Sequence, residues 1–271
     1  HIARYDGFAR ALNEQGIVVA GHDHLGHGKS LPEGGTPVYF GDGNTWNTVV
    51  DDIYILHQRL KQRYPDVPLC IMGHSMGSFL TRTYLIRYPG TVKAAVIMGT
   101  GWQPQAAITG GLALANAIAA VSGENATSEL VTELAFGSYN KLFAPNRTKV
   151  DWLSADESNV DDYIADPLCG ADATVGLFRQ MLHGIRFNQR QSHLRQMDRE
   201  MPVLFVAGDK DPVGSCGKGV RQTYDAFRAA GMRDCTLKLY PGLRHEILNE
   251  KAYTADITKN IEAWLLSRLE K

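Results

Sequence analysis

Short apolar runs alternate with longer stretches of helical periodicity along most of the chain, and that alternation leaves few folds open. Residues 16–20 (Gly-Ile-Val-Val-Ala) read as a buried strand, after a helical opening segment and before a polar, glycine-rich stretch over 21–43. Val49, Ile53, Leu56 and Leu60 recur at helical spacing, which predicts an amphipathic helix over 46–64. A strand over 68–72, a helix over 76–87 and a strand over 92–98 follow; later come a strand over 202–207, a helix over 218–230, a strand over 235–240 and a last helix over 253–269. Parallel strands need a long crossover, usually a helix, so this series implies an α/β protein with a mainly parallel sheet covered on both faces.

One stretch breaks the rhythm. Residues 102–195 contain no clear strand, and some ninety residues are too many for an ordinary crossover. The segment reads as a mostly helical cap inserted over the carboxyl ends of the strands. The chain therefore divides into a first part of the core (1–101), the cap (102–195) and a second part of the core (196–271).

Charge and cysteine usage exclude several classes of function. Lys+Arg number 28 against 29 Asp+Glu, a net −1, so no field of one sign is available to hold a nucleic-acid backbone. The four cysteines, Cys70, Cys169, Cys216 and Cys235, have no C-x-x-C spacing and are too few for a disulfide scaffold, which fits reduced thiols in the cytoplasm. Two N-x-T triplets, at Asn125 and Asn146, are a weak contrary hint of secretion, and no signal peptide is visible. The longest apolar run, 108–121, carries two glycines and Asn116 and is shorter than a bilayer-spanning helix requires, so a soluble protein is expected.

Gly73-His74-Ser75-Met76-Gly77 matches G-x-S-x-G between a strand run and a helical run. A serine on so tight a turn has its hydroxyl pushed away from the backbone, and the flanking glycines relieve crowding. The N–H of Met76, at the helix start, is a candidate oxyanion donor. A serine hydroxyl needs a base, and the base needs a carboxylate to fix its tautomer. His245 lies in the loop after the last strand. Two carboxylates follow the preceding strand, Asp209 and Asp211, and the sideways reach to a histidine favours Asp211. Asp209 then reads as a turn-former.

With Asp23-His-Leu-Gly-His-Gly-Lys-Ser30, Gly73–Gly77, the 208–213 turn, and His245 with Glu250 after it, the chain resembles the monoacylglycerol lipase / lysophospholipase group of α/β-hydrolases, which overlaps the serine aminopeptidase-like hydrolases. The resemblance runs over nearly the whole length. It implies the α/β-hydrolase fold with an inserted helical cap, a Ser75–His245–Asp211 triad and esters with a single acyl chain as substrates. It also implies a second oxyanion N–H from an H-G-x-x-E-H stretch, of which only the last His matches, as His1. The strand carrying that stretch would lie between residues 16–20 and 69–72. Without it two rows of buried backbone groups would go unpaired, at about 1–3 kcal/mol each, so the natural polypeptide is expected to extend upstream of His1.

Rival chemistries fit less well. His22, His24 and His27 cluster on one loop, but the binuclear-zinc pattern needs Asp-His where Gly26-His27 stands, so no metal is expected. Gly28-Lys29-Ser30 ends like a P-loop, but Asp23 occupies the place of its first glycine. The expected activity is a serine carboxylic-ester hydrolase without cofactors, acting on monoacylglycerol or lysophospholipid through an acyl-enzyme. A small aryl or alkyl esterase, an aminopeptidase-like amidase and a non-catalytic binding protein of the same fold are the alternatives. Residues 106–120 are apolar and built from small side chains, and Phe178, Met181, Leu182, Ile185 and Phe187 form a second apolar set. These would house an acyl chain or touch a membrane surface transiently, with simple packing of 106–120 against the core as the equal alternative.

Overall fold

The computed structural model describes residues 1–269. After a 3-10 turn (Ile2–Tyr5) the chain forms α1 (Asp6–Glu14), α2 (Thr45–Arg63), β1 (Cys70–His74), α3 (Met76–Arg87) and β2 (Ala94–Met98). A helical segment follows: α4 (Gln105–Ser122), α5 (Glu129–Thr132), α6 (Ser138–Lys141), α7 (Glu157–Ala165), α8 (Val175–Asn188) and α9 (Gln191–Leu194). The chain then returns to β3 (Val203–Gly208), α10 (Lys218–Ala229), β4 (Cys235–Tyr240) and α11 (Thr254–Leu269). The four strands pair in parallel in the order β1-β2-β3-β4, with Cys70 opposite Ala94, Ala95 opposite Val203 and Val203 opposite Cys235.

Period-two alternation divides each central strand between two cores. Ala95 and Ile97 of β2 and Val203, Phe205 and Ala207 of β3 face a cluster with Leu80 and Tyr84 of α3, Val49 and Val50 of α2 and Phe227 of α10. Ala94, Val96 and Met98, with Leu204 and Val206, face Phe8 and Leu12 of α1 and Ile257, Ile261 and Leu265 of α11. Strands buried on both faces read as continuous apolar runs, which is why β2 and β3 were plain in the sequence.

Two expectations need correction. Residues 16–20 form no strand; among the described residues they pair with no neighbour, and Val18 and Val19 are 62% and 39% exposed. Apolar β-branched composition gives a segment strand propensity, but a ladder needs a partner. Across a wide groove these residues face 68–72, so the outer edge of β1 is also open. The second correction concerns the apolar run at 108–121, which lies inside an 18-residue helix with a mean hydropathy of 1.3, long and apolar enough by length and composition to cross a membrane. In the fold this helix, α4, packs on α8 through Ile108, Leu112 and Ala115.

The six helices α4 to α9 fill the interval between β2 and β3, and the longest two differ in their attachment. From α8, Asn188 Nδ2 donates to the carbonyl of Phe79 (2.8 Å) and its Oδ1 accepts from Thr83 Oγ1 (2.8 Å). Gly184 sits against the Trp46 ring, where a Cβ would stand 2.2 Å from the nearest ring atom. Helix α4 has no polar anchor of this kind on the sheet's helices among the described residues.

Candidate active site

The site begins with a strained turn. Between β1 and α3, Ser75 takes φ 55° and ψ −123°, a conformation that L-residues rarely adopt. Its N–H donates to the carbonyl of Met98 at the end of β2 (3.1 Å), and its own carbonyl accepts from the N–H and hydroxyl of Ser78 (2.8 and 2.6 Å). A Cβ on Gly73 would lie 2.2 Å from the carbonyl oxygen of Gly77 and 2.3 Å from Thr81 Oγ1, so this position requires glycine. The expectation for the second glycine was too broad: a Cβ on Gly77 would meet nothing within 4 Å. Met76 opens α3, so its N–H is among the four that a helix start leaves without an intrahelical partner.

After β3 and β4 the chain delivers two more groups. His245 Nδ1 and Asp211 Oδ2 stand 3.0 Å apart, and both residues are buried. The other Asp211 oxygen accepts from the N–H of Val213 (2.9 Å), which leaves one oxygen free to face the imidazole. Asp209 instead accepts from the N–H of Gly242 (2.8 Å) at the surface, a bond between two loops rather than within its own turn. Burial works against a charged His245, but the Asp211 carboxylate and its hydrogen bond, with Glu246, outweigh it and hold the imidazole above its ordinary pKa. Ser75 and His245 line the same groove, and among the described residues no hydrogen bond joins them.

A set of residues that the motifs did not single out lies beneath His245. His74 Nε2 faces the main-chain carbonyl of His245 (3.0 Å), and His74 Nδ1 faces the Tyr5 hydroxyl (2.7 Å). A carbonyl can only accept, so Nε2 carries the proton and Nδ1 accepts from Tyr5. Burial, followed by the charge of neighbouring His245, pushes His74 down to about 4, and burial pushes the Tyr5 hydroxyl up, so both groups stay neutral. Beside them Arg4 Nη2 pairs with Glu246 Oε2 (2.5 Å), and Asn159 Nδ2 donates to the same oxygen (3.0 Å). Burial alone would raise the Glu246 carboxyl; Arg4 and Asn159 bring it below its usual value. His74 is visible in the sequence only as the variable position of G-x-S-x-G, and nothing local ties Tyr5 to it across sixty-nine residues.

The groove above has a volume of about 2020 Å³ and an aromatic wall. Trp152 lies 5.2 Å from the His245 ring, Tyr139 packs edge-on to Trp152, and Phe136 bridges to Phe178 of α8. Of the second apolar set, Phe178, Met181 and Ile185 line this groove, Leu182 faces α4 at Gly111, and Phe187 turns to a separate surface pocket of about 410 Å³. Two struts join this wall to the loop that carries His245. Arg244 donates to the carbonyls of Asp151 and Ser154 (2.5 and 3.0 Å), and the Glu250 carboxylate accepts from the N–H groups of Ala155 and Asp156 (2.8 and 3.0 Å).

The histidine loop is held by its aspartate. Asp23 accepts from the N–H groups of Ile2 (2.6 Å) and Lys29 (2.7 Å), and a Cβ on Gly28 would strike its carboxylate. Burial pushes His24 down to about 3, so it is neutral, and His22 packs edge-on against it at 5.0 Å. Cys216 is exposed, five residues past Asp211, at a positive φ of 52°.

Residues 1–252 match the family described as "Serine aminopeptidase, S33". A monoacylglycerol lipase of Mycolicibacterium smegmatis is 31% identical over 99% of this chain and 85% of its own length. A monoglyceride lipase of Mus musculus is 28% identical over 99% of this chain and 80% of its own. Among solved structures, a highly thermostable carboxyl esterase from Bacillus coagulans, in complex with glycerol, superposes with a TM-score of 0.91 at 26% identity, covering 98% of this chain and 86% of that one. A Ser-Asp-His chain order on a parallel α/β sheet, with the family matched over 252 of 271 residues, places this chain among the hydrolases of the serine aminopeptidase family, with the α/β-hydrolase fold.

Proposed function

We propose that this chain hydrolyses carboxylic esters of single-acyl-chain lipids, such as monoacylglycerol or lysophospholipid, through a covalent acyl-enzyme. The observation that carries the reading is the buried His245–Asp211 pair opening onto an aromatic-walled groove that also contains Ser75. Ser75 attacks the ester carbonyl while His245 Nε2 takes its proton. Asp211 fixes the tautomer and stabilises the imidazolium. The Met76 N–H holds the oxyanion together with a second donor. His245 then protonates the leaving alcohol, and water repeats the cycle to release the acid. Ser75 and His245 line one groove without a hydrogen bond between them, and in this reading the bond forms when substrate binds, as catalytic hydrogen bonds often do.

Residues 102–195 act as the cap in this reading, with Phe178, Met181 and Ile185 against the acyl chain. Each buried CH₂ contributes about 0.8 kcal/mol, so even an eight-carbon chain binds usefully there. Val121, Leu130, Leu134 and Leu142 stand out from this layer at 88%, 55%, 66% and 61% exposure and would rest transiently on a lipid surface. Four free thiols support residence in the cytoplasm.

The likeness to the Bacillus coagulans carboxyl esterase favours one second reading, hydrolysis of small aryl or alkyl esters. Acetate, octanoate and palmitate esters separate the two. Turnover that rises with chain length supports a lipid substrate, whereas fastest turnover on acetate supports the small-ester reading. Amino-acid amides in the same screen test the amidase alternative. Labelling by a fluorophosphonate, lost in Ser75→Ala, tests the serine mechanism itself, and a protein that only binds would stay unlabelled.

A further inference from the structure

His1, Asp166 and Cys169 bring one nitrogen, one oxygen and one sulfur ligand atom within 4.8 Å of one another. Nothing in the proposed hydrolysis uses this group. His1 belongs to the opening of the core, whereas Asp166 caps the carboxyl end of α7 and Cys169 follows three residues later. His1 Nε2 and Asp166 Oδ2 are 2.8 Å apart, and the side chains are 7% and 25% exposed. The second Asp166 oxygen accepts from the N–H of Leu168 (2.9 Å), which fixes the carboxylate over the turn that carries Cys169. Arg4, whose charge favours the Cys169 thiolate, is itself paired with Glu246.

We infer that His1, Asp166 and Cys169 form a binding site for a zinc-like divalent cation that clamps the helical segment to the core at the mouth of the groove. Thiolate, imidazole and carboxylate together suit zinc, and the sulfur rules out a magnesium- or calcium-type site. The ion takes the place of the proton between His1 and Asp166. His1 binds through Nε2 as the neutral Nδ1–H tautomer, Cys169 releases its thiol proton to solvent, and water fills the fourth position. No redox change is involved. The site differs from the His22–His24–His27 loop, whose ligand atoms do not converge in this way among the described residues.

Co²⁺ titration of the whole chain reads out the ligands without reference to activity. The expected result is one equivalent bound, with a sulfur-to-cobalt charge-transfer band in the near ultraviolet and tetrahedral d–d bands in the visible, all displaced by Zn²⁺. Even an outer-shell partner of a metal ligand is worth about 10–100-fold in affinity, so Cys169→Ser and Asp166→Asn, both in a surface turn, should each weaken binding by at least about 100-fold. The charge-transfer band should vanish in Cys169→Ser. His22→Gln should bind normally. Absence of a thiolate band in the wild type, its persistence in Cys169→Ser, or loss of binding in His22→Gln would each overturn the proposal. Thermal melts of the variants confirm that each titrated protein is folded.

Discussion

The floor of the groove and its roof depart from ordinary globular packing in opposite directions. In the floor, charged and polar groups are buried: Asp211 is 0% exposed, Glu250 2%, His245 3% and Glu246 8%. In the roof, apolar side chains face outward, with Val121 at 88% and Leu134 at 66%. Each departure costs stability and needs a compensating return. The floor recovers part of the cost through hydrogen bonding, since Asp211, His74, Glu246 and Glu250 all have defined partners. The outward side chains of the roof have no such partners, and in the proposed reading a lipid surface covers them transiently.

The largest way to break this contrast is at Ser75, the proposed nucleophile. Ser75→Ala should lower kcat/KM for an octanoate ester by roughly 10⁴-fold or more while leaving thermal stability about unchanged, because alanine keeps the Cβ and the same strained backbone. Retained activity would mean that the buried floor serves packing alone. Next in size is the ion pair. Arg4→Met strands the Glu246 carboxylate and should cost about 3–5 kcal/mol in urea unfolding, and the double variant with Glu246→Gln should recover most of that. If both unfold alike, the floor does not depend on full pairing.

Tyr5→Phe removes the donor that fixes the His74 tautomer. A loss of about 1–3 kcal/mol in stability is expected, with kcat/KM several-fold lower because the His245 carbonyl loses its orienting partner. A fall in stability with no change in kcat/KM would confine Tyr5 to packing.

The pH dependence follows from the raised His245. Only neutral His245 can act as a base, so kcat/KM should fall as pH drops through a midpoint above the usual histidine value of about 6.5. The same group contributes stability that is fully present below about 6.5 and fades as pH rises through its folded value. Activity and this part of stability therefore move in opposite directions. A kcat/KM midpoint below pH 6 would contradict the assignment. The smallest effect belongs to the roof: Val121→Ser with Leu134→Ser should change stability by no more than about 0.5 kcal/mol while weakening sedimentation with lipid vesicles.

How much of this was legible in the sequence depended on how local the cause was. Helix α3 and strand β4 run over the residues expected, because the period changes sharply at Ser75 and the apolar run ends at Tyr240. The placing of Asp211 rather than Asp209 against His245 followed from chain direction, which is also local. Residues 16–20 misled because strand propensity says nothing about whether a partner is there. The extent of α4 misled in turn because the apolar run was counted without the flanking residues that continue the helix. Tyr5, Trp152 and Glu246 escaped notice, since what gives them a place at the site is contact with residues far away in the chain.

Glu250 has a consequence for how the molecule comes apart. Its two oxygens grip 155–156 from a loop only five residues past His245, and Arg244 grips 151–154 from the other side of that histidine. The inserted helices cannot melt off that edge without pulling on both ends of the His245 loop. Heating should therefore abolish catalytic competence and dissolve the insertion in a single cooperative transition, without an intermediate in which a stripped core keeps turning over.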